Sequence, residues 1–113
     1  MADTTSETFG IVVNQTITMS GYEFYRSFTD YWREKPDYER HTLVIVERPS
    51  KRFGNQVLVH LGQKLLFNGA LPMKMDAVRR YGGEAVEKAY ANILSLALRR
   101  PGTREDDIAD DEL

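Results

Sequence analysis

The 113-residue chain contains no cysteine, which excludes disulfide bridges and thiolate metal sites. That lack suits a reducing cytoplasm, and equally a secreted or periplasmic protein that folds without covalent staples. Long apolar runs are missing too. Charge-free stretches such as residues 10–22 and 89–98 fall well below the roughly 20 apolar residues that a spanning helix requires, so no membrane insertion is expected. Only two histidines occur, His41 and His60. They form no His-x-x-x-His helix pair, and no carboxylates cluster in the part expected to fold, so no metal site is expected. Gly82-Gly83 lacks the context of a phosphate loop, and Ser20, Ser27, Ser50 and Ser95 stand in no nucleophile elbow. Neither an active site nor a cofactor is expected, and the chain is read as a non-enzyme.

Charge is present in blocks. The net charge is only −2, yet residues 1–47 balance to −4, residues 48–100 to +7 and residues 101–113 to −5. Such a division permits head-to-tail self-association, or a tail that screens the basic block. The length suits one domain with a modest core. Residues 1–10 are polar, have no apolar stretch resembling an export signal, and are expected to be flexible. A single domain over 11–101 follows, then a flexible acidic tail over 102–113. The carboxylates of that tail miss the spacing of a calcium loop.

The expected fold class is α+β, with an antiparallel meander sheet packed against two helices in the order β-α-β-β-β-α. Ile11 to Met19 is rich in β-branched residues and reads as a first strand. Ser20 with Glu23 has the form of a capping box that opens a helix. Phe24, Tyr25, Phe28, Tyr31 and Trp32 follow at helical spacing. Pro36 ends this helix by biasing Lys35 away from helical angles. Residues 42–48, 55–61 and 64–68 read as three strands, with Val57, Val59 and Leu61 alternating against Leu58, His60 and Gly62. Asn68-Gly69 is a turn signal. Residues 72–100 form the last helix, within which Gly82-Gly83 introduces a bend or a break.

Between the second and third strands lies Val46-Glu47-Arg48-Pro49-Ser50-Lys51-Arg52-Phe53-Gly54. Three cations and a Phe are more than a tight hairpin needs, and Pro49 and Gly54 shape the connection. Arg48, Lys51, Arg52 and Phe53 are therefore the candidate protein-interaction residues. The bland reading is a solvated connector whose Phe folds back onto the sheet. His60, mid-strand among apolar residues, reads as a partly buried, hydrogen-bonded histidine.

Two motifs carry a family resemblance. Gly21-Tyr22-Glu23-Phe24-Tyr25-Arg26-Ser27-Phe28-Thr29-Asp30-Tyr31-Trp32 resembles the "G-x-[DE]-F-Y-R-x-F-[ST]-D-x-W" helix of the CsgE family of curli assembly/transport components. Glu47 to Gly54 resembles the same family's "E-R-P-S-x-R-[WF]-G" turn, with Phe53 where Trp is common. Leu71-Pro72 and the ending from Asp106 to Leu113 are similar as well. The resemblance implies a periplasmic accessory factor whose export signal has been removed. Such a factor binds the curli amyloid subunit, directs it to the outer-membrane secretion pore, caps that pore as a homo-oligomeric ring and restrains premature fibre formation. The alternative reading is a double-stranded RNA-binding module, which shares the helix, three-strand meander, helix order and suits a basic residue 48–100 block. A sparse Lys content at the start of the last helix and the acidic tail count against nucleic acid.

Overall fold

Alternating apolar residues place one face of every strand inward, and the computed structural model, which describes residues 11–52 and 54–98, shows what each face meets. The chain runs β1 (Val12–Gln15), α1 (Met19–Trp32), a 3-10 turn (Tyr38–Arg40), β2 (Leu43–Arg48), β3 (Gln56–Leu61), β4 (Lys64–Ala70) and α2 (Met75–Leu98). The expected α+β class and element order both hold. The four strands lie in sequence order, β1-β2-β3-β4. β2, β3 and β4 form the antiparallel meander, but β1 runs parallel to β2, with Val12 opposite Leu43 and Gln15 opposite Val46. The sheet is therefore mixed rather than wholly antiparallel. Parallel neighbours need a crossover connection, and α1 supplies it.

Both helices pack on one face of this sheet. Val12, Leu43, Ile45, Val57, Val59, Leu66 and Phe67 form the inward side of the core. Phe24, Phe28 and Trp32, one turn apart along α1, are fully buried against it, and so are Val78, Ala85, Val86 and Ala89 of α2. Burial of each large α1 aromatic contributes about 2–3 kcal/mol. The aromatic stripe is thus largely core, whereas Tyr31 remains exposed at its edge. On the opposite face, Val13, Val44, His60 and Leu65 share one cross-strand row, and His60 is half-buried there.

The pairing of β3 with β4 shifts register between Val59 and His60, whose partners are Phe67 and Leu65. Leu66 is the extra residue, a β-bulge that turns Leu66 and Phe67 both into the core. The Asn92 side-chain amide of α2 donates to the Leu66 carbonyl at 2.7 Å. Asn68 and Gly69 lie inside β4, not in a turn. Pairing with Leu58 and Val57 overrides their turn preference. At Gly69 a Cβ would collide with the Tyr81 hydroxyl, so the missing side chain is a packing requirement.

α2 begins at Met75, three residues later than Pro72, and is one unbroken helix through Gly82-Gly83. A Cβ at Gly82 would strike Ser27 Oγ and come within 3.0 Å of the Phe28 backbone nitrogen. One at Gly83 would lie 3.1 Å from the Tyr31 ring. The pair lets α1 and α2 approach closely, which answers its helix-propensity cost of roughly 1 kcal/mol per glycine. α1 ends at Trp32. Tighter bonds then carry the chain on, from Glu34 N–H to the Tyr31 carbonyl and from Lys35 N–H to the Trp32 carbonyl. They stop at Pro36, which has no N–H to give.

Candidate protein-interaction surface

β2 places Leu43, Ile45 and Glu47 on its inward face, so the alternation that buries two aliphatic residues also buries a carboxylate. Glu47 is only 3% exposed. Its Oε1 accepts the backbone N–H groups of Ile17 (2.6 Å) and Thr18 (2.8 Å). Its Oε2 accepts the Thr18 hydroxyl (2.6 Å) and the Asn55 side-chain amide (2.7 Å). These donors are neutral, and the charge also lies against the N-terminus of α1, where the helix dipole favours an anion. Burial pushes the Glu47 carboxyl up, but the hydrogen bonds from Thr18, Asn55 and Ile17 outweigh it and hold the group below its ordinary value.

This carboxylate explains how α1 starts. The cap is Thr18, not Ser20: its hydroxyl accepts the Gly21 N–H at 3.0 Å, and the helix begins at Met19. The expected Ser20–Glu23 box does not form. In a capping box the third helical residue reaches back to the cap's own N–H. Here that residue is Gly21, whose Cβ would collide with Glu47 Oε1. Glu47, from β2, takes over the role across the fold, and Glu23 instead pairs with Arg79 at 2.9 Å.

Through Asn55 the same carboxylate fixes the connection between β2 and β3. The Asn55 carbonyl accepts the Leu71 N–H at 2.8 Å, joining this connection to the link before α2. Gly54 has a φ of +75°, a left-handed conformation that favours glycine. Anchored in this way, the connection presents Arg48, Lys51 and Arg52 at the surface, all three exposed. Arg48 ends β2 opposite Gln56. Phe53, the fourth candidate, lies outside the described residues, as do the segments 1–10 and 99–113.

Beside the basic turn a cleft of about 230 Å³ opens between Thr18 and Ser20 of the α1 start, Gly54 and Asn55 of the turn, and Leu71, Pro72 and Met73 of the α2 link. Of its lining residues Met73 is 96% exposed, and Met19 and Ile17, the chain neighbours of Thr18, are 82% and 64% exposed. Sequence reading missed Glu47, Gly21, Asn55 and this apolar rim. One signal was available for Glu47: a charged residue in the inward phase of an otherwise aliphatic strand. A larger hollow of about 500 Å³ follows the α1–α2 seam, lined by Glu23, Arg26, Ser27, Asp30, Tyr31 and Arg79. Its two arginines are paired with Glu23, and Arg79 also with Asp76. Among the described residues no group of three or more His, Asp or Glu side chains is placed to hold a metal. No described helix is long and apolar enough to cross a membrane.

Comparison with known proteins gives these features a family. The family model described as curli assembly protein CsgE matches residues 9–112. The curli production assembly/transport component CsgE of Salmonella typhi is 38% identical over 68 residues, 59% of this chain and 50% of that protein. Proteins of the same description from Escherichia coli O6:H1 and O157:H7 are each 37% identical over 68 residues, with the same coverage. The chain thus aligns with about half the length of the curated relatives it matches. With the family model spanning nearly all of it, the chain belongs to the CsgE family of curli assembly proteins.

Proposed function

We propose that this chain is a non-enzymatic, periplasmic accessory factor of curli secretion. It binds the curli amyloid subunit, directs it to the outer-membrane secretion pore, assembles as a ring that caps the pore, and restrains premature fibre formation. Family membership supports the curli role. The observation that carries the mode of action is the basic turn with Arg48, Lys51 and Arg52, held on a rigid frame by the buried Glu47 carboxylate. A preorganised turn loses little freedom on docking, and exposed cations steer association with an acidic partner. Phe53, in the same turn, is the proposed aromatic anchor, a residue type that often dominates interface energy.

A ring needs two different patches on each subunit. The basic turn and the acidic 101–113 block provide opposite charge for such a contact. The test is native mass spectrometry, coupled to fibre-formation kinetics of a curli-type subunit with and without the chain. An oligomer that binds the subunit and lengthens its lag phase supports the proposal. Unchanged kinetics at equimolar chain would refute the restraining role.

A further inference from the structure

We propose that the cleft beside the basic turn is the docking site for the acidic segment 103–113 of a neighbouring copy of this chain, an inference that rests on the ring assembly proposed above. Leu71, Pro72 and Met73 give the cleft an apolar wall; Met73 is almost wholly exposed, and methionine suits surfaces that must fit an extended partner. Arg48, Lys51 and Lys74 are exposed at this end, and none makes an ion pair among the described residues. Among the described residues, Glu47 of the same connection is buried in its hydrogen bonds, and Asp76, two residues after Lys74, pairs with Arg79. Among the described residues this end carries positive charge that no ion pair neutralises, beside a cleft with one apolar wall.

Segment 103–113 has the complementary composition. It carries six acidic residues against one Arg, and its large apolar residues are Ile108 and Leu113. Chain reach favours a neighbour for any docking that seats Ile108. α2 starts beside the cleft, directly after Lys74, and its 24 residues extend about 36 Å at 1.5 Å per residue. From Leu98 to Ile108 a fully extended chain spans at most about 33–36 Å. Seating Ile108 in its own cleft would leave no slack, whereas a neighbour's cleft can take Ile108 and Leu113 together. Leu113 alone, at most about 50–54 Å of extended chain from Leu98, reaches back, and an absence of mixed-tag dimers in the test below would show that route. A second copy placed head to tail brings its cleft to the segment instead, and repetition of that contact around an axis closes a ring.

The absence of cysteine makes the test clean. Full chains carrying Met73→Cys under one tag and Ile108→Cys under another are mixed, allowed to assemble and oxidised. A covalent dimer bearing both tags is expected, declining as salt screens the charges. In parallel, the full chain with Asp106, Asp107, Asp110 and Asp111 all changed to Asn should melt like the parent. Its half-assembly concentration should rise about tenfold or more, since rim charges guide association. The proposal is overturned if mixed-tag dimers do not form, or if the four-Asn chain assembles undiminished while the parent oligomer persists. If the parent chain is monomeric at every concentration, the ring reading fails together with it.

Discussion

Glu47→Ala is expected to lower stability by about 3 kcal/mol. The substitution removes the acceptor of four donors: the N–H groups of Ile17 and Thr18, the Thr18 hydroxyl and the Asn55 amide. A stranded buried donor costs about 1–3 kcal/mol, and a hydrogen bond to a charged acceptor contributes about 1.5–3 kcal/mol. All four bonds are only part-buried, so water recovers much of the loss and brings the total below the simple sum of about 4–12 kcal/mol. At about 4–8 °C per kcal/mol for a domain of this size, Tm falls by about 12–24 °C. Glu47→Gln keeps one oxygen for the two backbone donors and loses the charge, so about 1–2 kcal/mol is expected. The pH dependence has a definite sign. The folded carboxyl titrates below its ordinary value of 4.5. Its extra stability is therefore fully present above that value and is lost as pH falls through the folded pKa. Urea titrations of parent and Glu47→Gln, at neutral pH and well below 4.5, read this directly. The gap should narrow in acid. A Glu47→Ala protein within about 0.5 kcal/mol of the parent, the range of ordinary surface changes, would show that the carboxylate does not hold the α1 start, as would a gap that widens in acid.

Gly82→Ala should cost about 1–3 kcal/mol by overpacking the helix contact, although alanine is the better helix former; Ser27→Ala added to it should recover part of the loss in a thermal melt. Lys51→Glu should leave the melt within about 0.5 kcal/mol and weaken assembly in low-salt sizing, because it reverses a charge in the exposed turn. Phe53→Ala should preserve the melt and break assembly or pore capping; a loss of about 3–5 kcal/mol in stability would assign the ring to the core instead. Duplex RNA should bind weakly or not at all, whereas submicromolar affinity with a steep salt dependence would favour the nucleic-acid reading.

The aromatic run of α1 and the alternation of β3 were legible because each follows from local periodicity: Phe24, Phe28 and Trp32 lie a turn apart, and Val57 and Val59 share a strand face. The departures have tertiary causes. β1 has four residues, and nothing local in them encodes pairing with β2, still less its direction. Thr18 and Ser20 are both competent caps, and the choice falls to Thr18 because Glu47, 29 residues further on, holds its N–H. Gly82 reads locally as a helix weakness, while the proximity of Ser27 makes it a requirement. At the candidate surface, the basic turn stood out by its residue types. The cleft beside it did not, because its walls come from three separate parts of the chain.

The proposed oligomer, and its proposed binding of the curli subunit, are open to one direct measurement. Native mass spectrometry of the full chain, alone and with a curli-type subunit at low ionic strength, tests both. A species many times the 13.0 kDa chain mass, dissociating as salt rises, is expected, together with a further species carrying bound subunit. A strict monomer at all concentrations, with no subunit complex, would contradict both.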